Sequence, residues 1–461
     1  MSLSNAAVRD IETVIHPYTN LDSFRETGPM IIERGEGIYV FDNGGNKYIE
    51  GLSGLWCTSL GYNEQELIDA AMEQFRQIPF THTFGGKSHE RAAEAAERLK
   101  AIAPHAASKV LFCGSGSEAN DQQVKLVWYY NNALGRPNKK KIISRQRGYH
   151  GVTVASGSLT GLPANHRDFD LPIAGMLHTD CPHYYRYAEP GETEDEFTTR
   201  LAKNLEDMII REDPDTVAAF IAEPIMGAGG VVIPPAGYFE KIQAVLKKYD
   251  IYFIADEVIC GFGRTGEMFG SQSFNMKPDS ISVAKALSSA YFPIAAVTVG
   301  EEMYQAMIDE SKKIGTFGHG FTYTAHPVGA AVAAKTLEIY EKRNIVGHVR
   351  SLAPRFEGHV ERLADHPLVG HARAKGLIGA IELVADKSDK RSFDPKAGIG
   401  AAVVAAAQRH GLILRALAGD IVAFCPPLII AAEQIDDMFA AVTKALDEVE
   451  AHVKKEGLRA A

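Results

Sequence analysis

Short apolar segments alternate with longer amphipathic segments from about residue 108 to residue 300. Several of the apolar segments, which are rich in valine, isoleucine and phenylalanine, are apolar at every position, as expected for parallel strands covered by helices on both faces. The segments that we predict as strands are residues 110–113, 141–144, 217–222, 251–255, 280–284 and 294–299. Because these strands alternate with helical patterns, the sequence predicts an α/β fold with a mostly parallel sheet.

The pattern changes after Pro327. A helical pattern begins near Gly329, and the helices that follow are mixed with strands, which we predict at residues 379–384 and 412–415. Helices mixed with isolated strands, without regular alternation, are typical of an α+β unit. The C-terminal part of the chain is therefore predicted to form a second, smaller domain.

The first fifty residues contain two strand patterns, at 37–42 and 47–50, which flank an Asn-Gly-Gly turn and predict a hairpin. The sequence does not decide which domain this hairpin packs on. A chain of 461 residues exceeds the roughly 250–300 residues at which one hydrophobic core stops growing. We assign residues 61–328 to a large domain, and residues 1–60 and 329–461 to the smaller α+β domain.

Composition and charge narrow the class of protein. Hydrophobic residues make up 46% of the chain and charged residues 23%, which is ordinary for a globular protein and excludes a disordered or collagen-like chain. The formal net charge of −10 has the wrong sign for binding nucleic acid or an anionic membrane surface. No stretch approaches the ~18 apolar residues of a membrane helix, so we expect neither nucleic acid nor membrane as a partner.

The cysteines indicate a reducing compartment. They are odd in number and never spaced as C-x-x-C, so neither a disulfide framework nor a structural zinc site is expected. The first residues, MSLSNAA, lack the basic and then apolar pattern of a secretory signal. We therefore expect a cytoplasmic protein.

Polar and glycine-rich segments follow the predicted strands of the large domain. In open α/β sheets, ligands bind beyond the carboxyl ends of the strands, so these segments are expected to share one site. In chain order they are GSGSEAN at 114–120, RGYHG at 147–151, EP at 223–224 with GAGG at 227–230, DEV at 256–258, and Lys285. The first precedes a helical pattern and could hold a phosphate at the helix N-terminus, and the tyrosine of the second could lie flat against a ring.

Lys285 directly follows a predicted buried strand, where lysine is rarely found without a function or a partner. Desolvation lowers the pKa of such an amine and makes it a nucleophile or a Schiff-base former. Asp256 lies one strand–helix unit upstream and could reach the same pocket. A phosphate cradle, a stacking aromatic ring, a carboxylate and a lysine are together what pyridoxal phosphate requires. The alternative for Lys285 alone is a side chain that extends into solvent.

The segments GSGSEAN, YHG, AEP, ADEV and SVAKALSS, in this order, resemble the class III aminotransferases of pyridoxal-phosphate fold type I. The sequence is most similar to the ω-amino acid:pyruvate, or amine:pyruvate, aminotransferases. The similarity extends from GLSGLW at residues 51–56 to GLILR at 411–415. It implies a fold type I transferase with pyridoxal 5'-phosphate as cofactor, and a homodimer with active sites at the subunit interface.

The resemblance also implies roles for individual residues. Lys285 would form the Schiff base and move the proton, and Asp256 would hold the pyridinium nitrogen. The other residues expected to contact the cofactor are Ser115, Gly116, Ser117, Tyr149, His150, Glu223, Val258, Phe321 and Thr322, the last of these from the second subunit. The residues expected to contact substrate are Leu55, Trp56, Phe84, Tyr149, Ala228 and Arg415. Arg415 would pair with a carboxylate or swing away for an uncharged substrate.

The function that follows is ping-pong transfer of an amino group from a primary amine or ω-amino acid to pyruvate. Few charges on the expected donor side favour a hydrophobic or long-chain amine over an α-amino acid. A class III aminomutase or a decarboxylating transaminase would share these motifs, and a non-catalytic cofactor-binding regulator is a weaker alternative.

Two glycine patterns, at residues 114–119 and 261–266, resemble dinucleotide fingerprints and leave a nicotinamide-dependent oxidoreductase as a remote alternative. The first pattern lacks an acidic residue at the end of the next strand, and the second opens no helix. A further group of potential metal ligands, His178, Asp180, Cys181 and His183, has no known zinc spacing and is better explained as a solvated loop. We therefore predict no metal site.

Overall fold

The computed structural model of the chain describes residues 4–459, so most of the N-terminal MSLSNAA segment is included, but residues 1–3 are not. The strands are β1 (Ile32–Glu36), β2 (Tyr39–Asp42), β3 (Lys47–Glu50), β4 (Ala107–Cys113), β5 (Lys141–Arg145), β6 (Met176–Thr179), β7 (Val217–Ala222), β8 (Tyr252–Asp256), β9 (Ser280–Val283), β10 (Ala295–Gly300), β11 (Val369–Lys375), β12 (Ile378–Leu383), β13 (Leu412–Ile413), β14 (Arg415–Leu417) and β15 (Ile421–Phe424). The helices are α1 (Asn5–Thr13), α2 (Leu21–Thr27), α3 (Ser53–Trp56), α4 (Gln65–Gln77), α5 (Glu90–Ile102), α6 (Gly116–Ala133), α7 (Val154–Leu159), α8 (Tyr184–Tyr187), α9 (Glu194–Glu212), α10 (Tyr238–Lys248), α11 (Gly270–Ser273), α12 (Glu301–Ile314), α13 (Pro327–Lys342), α14 (Ile345–Arg362), α15 (Ile399–Arg409) and α16 (Ala432–Lys455).

The central sheet has seven strands in the order β4-β10-β9-β8-β7-β5-β6. Pairing is parallel from β9 to β6, and β10 runs antiparallel to both of its neighbours. The six strands predicted for this region are confirmed, with ends that differ by at most three residues. The prediction missed β6, a four-residue strand at the sheet edge with half-buried positions, because its pattern is too short and too polar to stand out.

The central sheet is buried on both faces. Every residue of β7 is buried, as its continuous apolar pattern predicts. Phe220 packs against Phe253 on one face, with a ring-centroid distance of 5.9 Å. Ile221 belongs to a separate apolar cluster on the other face, together with Val124 of α6. Helices therefore cover both faces of a mostly parallel sheet, and the α/β prediction is confirmed.

The N-terminal hairpin pairs with a strand from the C-terminal part of the chain. Strands β1, β2 and β3 are antiparallel, and β13 joins β3 in parallel, with Leu412 opposite Ile49. The single strand predicted at 412–415 is in fact two: β13 completes the N-terminal sheet, and β14 starts at Arg415 in a third sheet of order β11-β12-β15-β14. The hairpin thus lies against the C-terminal segment, while the limits assigned at residues 60 and 328 stay predictions.

Helix α13, expected near Gly329, begins at Pro327, where a missing N–H costs nothing because the first helical N–H groups have no partner within the helix. The His326 side chain accepts a hydrogen bond from Val328 N.

The five cysteines are all free. Across residues 4–459, none of the helices has the length and apolar character that spanning a membrane requires.

Candidate active site

A cavity of about 630 Å³ lies beyond the carboxyl ends of the central strands. Twelve of the sixteen site residues predicted from the sequence line it, although they come from distant parts of the chain. These twelve are Leu55, Trp56, Gly116, Ser117, Tyr149, His150, Glu223, Ala228, Asp256, Val258, Lys285 and Arg415. The strand ends therefore bring most of the predicted set together, as the rule for open α/β sheets requires.

Asp256, the last residue of β8, is held in one orientation. Its Oδ2 accepts hydrogen bonds from Asn120 Nδ2 at 2.7 Å and from His150 Nδ1 at 2.8 Å, and its Oδ1 accepts one from Val258 N at 3.1 Å. The side chain is buried yet lines the cavity. A carboxylate fixed in this way can hold a protonated ring nitrogen through a charge-assisted hydrogen bond.

Lys285 follows β9 and opens a single helical turn over Lys285–Leu287. Its backbone has a φ of 49°, a left-handed conformation that residues other than glycine rarely adopt. Burial lowers the pKa of the Lys285 amine, and the nearby Cys57, Asp256 and Glu223 partly oppose this shift. A lower pKa leaves more of the amine neutral, which suits a nucleophile that also carries a proton.

The N-terminus of α6 forms one wall of the cavity. Ser115 caps this eighteen-residue helix by accepting a hydrogen bond from Glu118 N at 3.2 Å, so it lies at the helix end without lining the cavity. A Cβ at Gly116 would lie 3.0 Å from Val258 Cγ1, so any larger residue there requires the valine side chain to shift. Free N–H groups and the positive end of the helix dipole at Gly116 and Ser117 fit a phosphate.

Glu223 fixes the backbone on two sides of the cavity. Its Oε1 accepts a hydrogen bond from Tyr149 N at 2.9 Å, and its Oε2 accepts one from Gly227 N at 3.0 Å. Burial raises the pKa of the Glu223 carboxyl. The contacts hold the half-buried Tyr149 ring on one side, and the turn that carries Ala228 on the other.

Arg415, the first residue of β14, lies at the side of the cavity formed by the C-terminal segment. Its guanidinium carbon is 5.9 Å from the ring centre of Tyr18, which also lines the cavity and accepts a hydrogen bond at its hydroxyl from Asn165 Nδ2. Burial, followed by the neighbouring Tyr18, raises the pKa of the Tyr149 hydroxyl. The Arg415 guanidinium, next to Tyr18, can pair with a substrate carboxylate.

Three predicted residues lie outside the cavity and close to one another. Phe84 is 48% exposed, and its ring lies beside Gly320, where an added Cβ would be 3.4 Å from the ring. The next two residues along the chain are Phe321, which is half-buried, and Thr322, which is exposed. Within one chain these side chains do not complete the cavity, so the roles given to them stay predictions that require a second subunit.

Sequence reasoning missed several residues that shape the cavity. Asn120 ends the GSGSEAN motif and lies one helical turn after Gly116, a spacing that could have indicated its contact with Asp256. Tyr18 and residues 162–165 lie in loops that carry no periodic pattern. The cavity contacts of Tyr18 and residues 162–165 depend on tertiary structure alone.

The four potential metal ligands do not form a site together, but the prediction of a solvated loop is wrong, because His178 lies in β6 and Cys181 and His183 are buried. His183 instead lies with His371 and Glu382, whose ligand atoms are within 4.8 Å of one another. Two guanidinium groups already contact the Glu382 carboxylate: Arg373 Nη1 at 3.1 Å, and Arg186 Nε. These positive charges oppose a bound cation.

The residues around the cavity fit the predicted cofactor, pyridoxal phosphate. The α6 N-terminus offers the phosphate site, Asp256 the ring-nitrogen site and Lys285 the amine. His150 and Asn120, which orient Asp256, each have a buried polar atom next to this site, Nε2 and Oδ1, without a hydrogen-bond partner among the described residues. Buried polar atoms are normally satisfied, so these two are available to a bound group.

Known proteins match this chain over most of its length. The sequence profile of the family described as "Aminotransferase class-III" matches residues 23–446. The chain is 52% identical over 443 residues to Gamma aminobutyrate transaminase 1, mitochondrial, of Solanum lycopersicum, covering 96% of this chain and 86% of that protein.

Solved structures match equally well. An omega transaminase from Pseudomonas jessenii in complex with PMP is 51% identical, with a TM-score of 0.96 and coverage of 98% of this chain and 99% of the other. A transaminase with L-ala is 54% identical, with a TM-score of 0.91 and coverage of 92% and 100%. The chain belongs to the class III aminotransferases, fold type I enzymes that use pyridoxal phosphate.

Proposed function

We propose that this aminotransferase moves an amino group from a primary amine or ω-amino acid to pyruvate. The observation that carries the proposal is a largely apolar cavity whose described lining residues include one arginine, Arg415, next to Tyr18. A substrate carboxylate pairs with Arg415, whereas an uncharged chain lies against Leu55 and Trp56.

The cofactor, when bound, supplies an electron sink for the substrate carbon next to the transferred nitrogen. The N–H groups of Gly116 and Ser117 bind its phosphate, and the Asp256 carboxylate keeps its ring nitrogen protonated. The Lys285 amine would take the proton from the donor carbon and deliver it to the bound cofactor. Burial lowers the pKa of Lys285 and so favours the neutral amine, which proton abstraction requires.

Names of related proteins support both ends of the proposed substrate range. The curated relatives are gamma-aminobutyrate transaminases, whose substrate name describes an ω-amino acid. Related solved structures are named omega transaminases, one of them in complex with PMP. Another holds L-ala, the amino acid that pyruvate yields on accepting an amino group. Arg415 favours the ω-amino acid, and Leu55 and Trp56 favour an uncharged, apolar amine.

A donor screen with pyruvate as acceptor tests the proposal. Release of alanine together with a ketone or aldehyde is expected with at least one apolar amine and with γ-aminobutyrate. An isomeric amine with no alanine identifies an aminomutase, and release of carbon dioxide identifies a decarboxylating enzyme. If none of the donor amines yields alanine from pyruvate, while 2-oxoglutarate readily accepts the amino group, pyruvate is not the acceptor.

We further propose that two copies of the chain complete each other's sites. The adjacent surface positions of Phe84, Phe321 and Thr322 support this arrangement, because these predicted site residues do not reach the cavity of their own chain. Mixing the inactive Lys285→Ala enzyme with a Thr322→Arg enzyme is expected to restore about a quarter of wild-type activity if subunits exchange randomly, because each mixed dimer then contains one intact site. Absence of recovery, with mixed dimers shown by mass spectrometry, contradicts shared sites.

A further inference from the structure

The donor side of the cavity contains the turn α3, whose backbone conformation is unusual. Leu55 and Trp56 of this turn line the cavity. Ser53 and Trp56 have φ angles of 51° and 64°, in the left-handed region that residues other than glycine rarely adopt. Such a conformation persists only where neighbouring groups hold it. The positions of Leu55 and Trp56 therefore depend on what holds α3.

The carboxylate of Glu50 at the end of β3 holds this turn. Glu50 is 3% exposed, and its Oε2 accepts a hydrogen bond from Gly54 N. Burial raises the pKa of Glu50 to about 7, and hydrogen bonds from the backbone N–H groups of Gly54 and Leu52 limit the rise. A second anchor is neutral, since Ser53 Oγ donates to the Cys425 carbonyl at 2.6 Å. None of the proposed steps of the reaction uses Glu50.

The titratable groups that interact with Glu50 are Cys57, Tyr62 and Cys425, and the charged groups next to these or to α3 are Arg264 and Lys285. Burial is the main cause of the raised pKa values of Cys57, Tyr62 and Cys425, so these three stay neutral near pH 7. The Arg264 guanidinium donates a hydrogen bond to Ser53 Oγ at 3.3 Å. Lys285 lies near Cys57 and belongs to the catalytic site. Of the remaining groups, Glu50 is the one that changes charge near neutrality.

We propose that Glu50 is a positioning residue whose charge holds α3, so that its ionisation sets the shape of the donor side of the cavity. The ionised carboxylate accepts strong hydrogen bonds from the turn and keeps Leu55 and Trp56 in place. The protonated carboxyl binds the turn more weakly, and the side chains of Leu55 and Trp56 move more freely. This inference rests on the proposed donor pocket and adds the group that controls it.

Tryptophan fluorescence tests the inference without any turnover. The chain has two tryptophans, Trp56 and Trp128, so the Trp128→Phe holoenzyme reports on Trp56 alone. Its emission is expected to change between pH 5.5 and 8.5 with a midpoint near that of Glu50 ionisation. Glu50→Gln resembles the protonated carboxyl, and in the same background it is expected to keep the low-pH emission throughout. Glu50→Asp, which still ionises, restores a transition.

A matched control separates Glu50 from the other buried carboxyl that titrates in this range. Burial also raises the pKa of Glu257 to about 7, but its oxygens accept hydrogen bonds from Gly270 N and Ser271 N, on a different loop. Glu257→Gln in the Trp128→Phe background is expected to leave the emission transition in place. Loss of the transition in this variant and its persistence in Glu50→Gln would overturn the assignment.

Kinetics provide a second readout that a purely structural role would not produce. At pH 8.5, Glu50→Gln is expected to raise the KM for the aromatic donor α-methylbenzylamine roughly fivefold, the difference between a charged and a neutral hydrogen bond, with a smaller change in kcat. The small donor isopropylamine, which scarcely reaches Trp56, is expected to change less than about twofold. At pH 6, where wild-type Glu50 is protonated, the two enzymes converge. Equal changes for both donors at both pH values refute a positioning role.

The outcomes separate this inference from the proposed function. If the emission transition depends on Glu50 but the enzyme forms no alanine, the inference is supported and pyruvate is contradicted as the acceptor. If the enzyme forms alanine but the emission transition does not depend on Glu50, and wild type and Glu50→Gln have identical KM profiles, the inference is contradicted and the proposed function still holds.

Discussion

Replacing Asp256 by asparagine removes one negative charge while keeping the side-chain shape. In the wild type, Asp256 Oδ2 accepts hydrogen bonds from Asn120 and His150, and Oδ1 accepts one from Val258 N. The asparagine NH2 group must take the place of one of these oxygens. It then faces either two donors or the Val258 N–H, so at least one hydrogen bond is lost in either orientation.

The size of the effect follows from the charge that the reaction develops. A hydrogen bond to a charged group contributes about 1.5–3 kcal/mol, and each 1.36 kcal/mol is a factor of ten in rate. Asp256→Asn should therefore slow the first half-reaction by about 10–150-fold. Cofactor binding should persist, because the α6 N-terminus and Lys285 are unchanged.

Stopped-flow absorbance of the bound cofactor during reaction with one equivalent of amine measures this rate directly. Asn120→Ala is the matched control, since it removes one donor to Asp256 but keeps the charge, and it should slow the reaction less. A rate for Asp256→Asn within about threefold of wild type, at full cofactor content, would refute the role given to this carboxylate. Loss of the cofactor would instead assign Asp256 to binding.

Three other variants test separate parts of the account. Arg415→Ala should raise the KM for pyruvate at least about tenfold, as expected for loss of a charge-assisted pair, while a simple amine changes little; equal losses for both contradict a carboxylate-binding arginine. Gly116→Ala places a Cβ 3.0 Å from Val258 and should weaken cofactor affinity in a fluorescence titration, whereas unchanged affinity argues against the tight cradle. The raised pKa of Glu257, about 7 against an ordinary 4.5, gives stability that is complete below pH 4.5 and is lost as pH rises through 7. The free energy of unfolding of Glu257→Gln, measured by thermal unfolding, should therefore rise relative to that of wild type by up to about 3 kcal/mol between pH 5 and pH 8. A difference that stays constant over this range refutes the titration of Glu257.

The sequence predicted the central sheet well because several of its strands are apolar at every position. Residues 217–222 form a strand with those limits, and all six of its apolar residues are buried inside the sheet. The strand predicted at 412–415 shows the opposite case. Its apolar pattern is continuous, yet the chain leaves one sheet after Ile413 and enters another at Arg415, because pairing partners far along the chain decide the break.

The site was predictable where residues follow strand ends. Asp256 and Lys285 could be placed together because parallel strands end at the same edge of a sheet, and Gly116 because a strand-to-helix turn precedes it. Tyr18 could not be predicted, because it reaches the cavity from a loop without periodic pattern. The surroundings of Phe84 could not be predicted either, because its neighbour Gly320 lies far away along the chain.

Borohydride reduction of the holoenzyme, followed by peptide mapping, identifies the lysine that carries the cofactor. We expect a phosphopyridoxyl group on the peptide that contains Lys285, on that lysine alone, and none in Lys285→Ala prepared with the same cofactor. A phosphopyridoxyl group on a different lysine, or none in a cofactor-saturated wild-type enzyme, would contradict the site described for this aminotransferase.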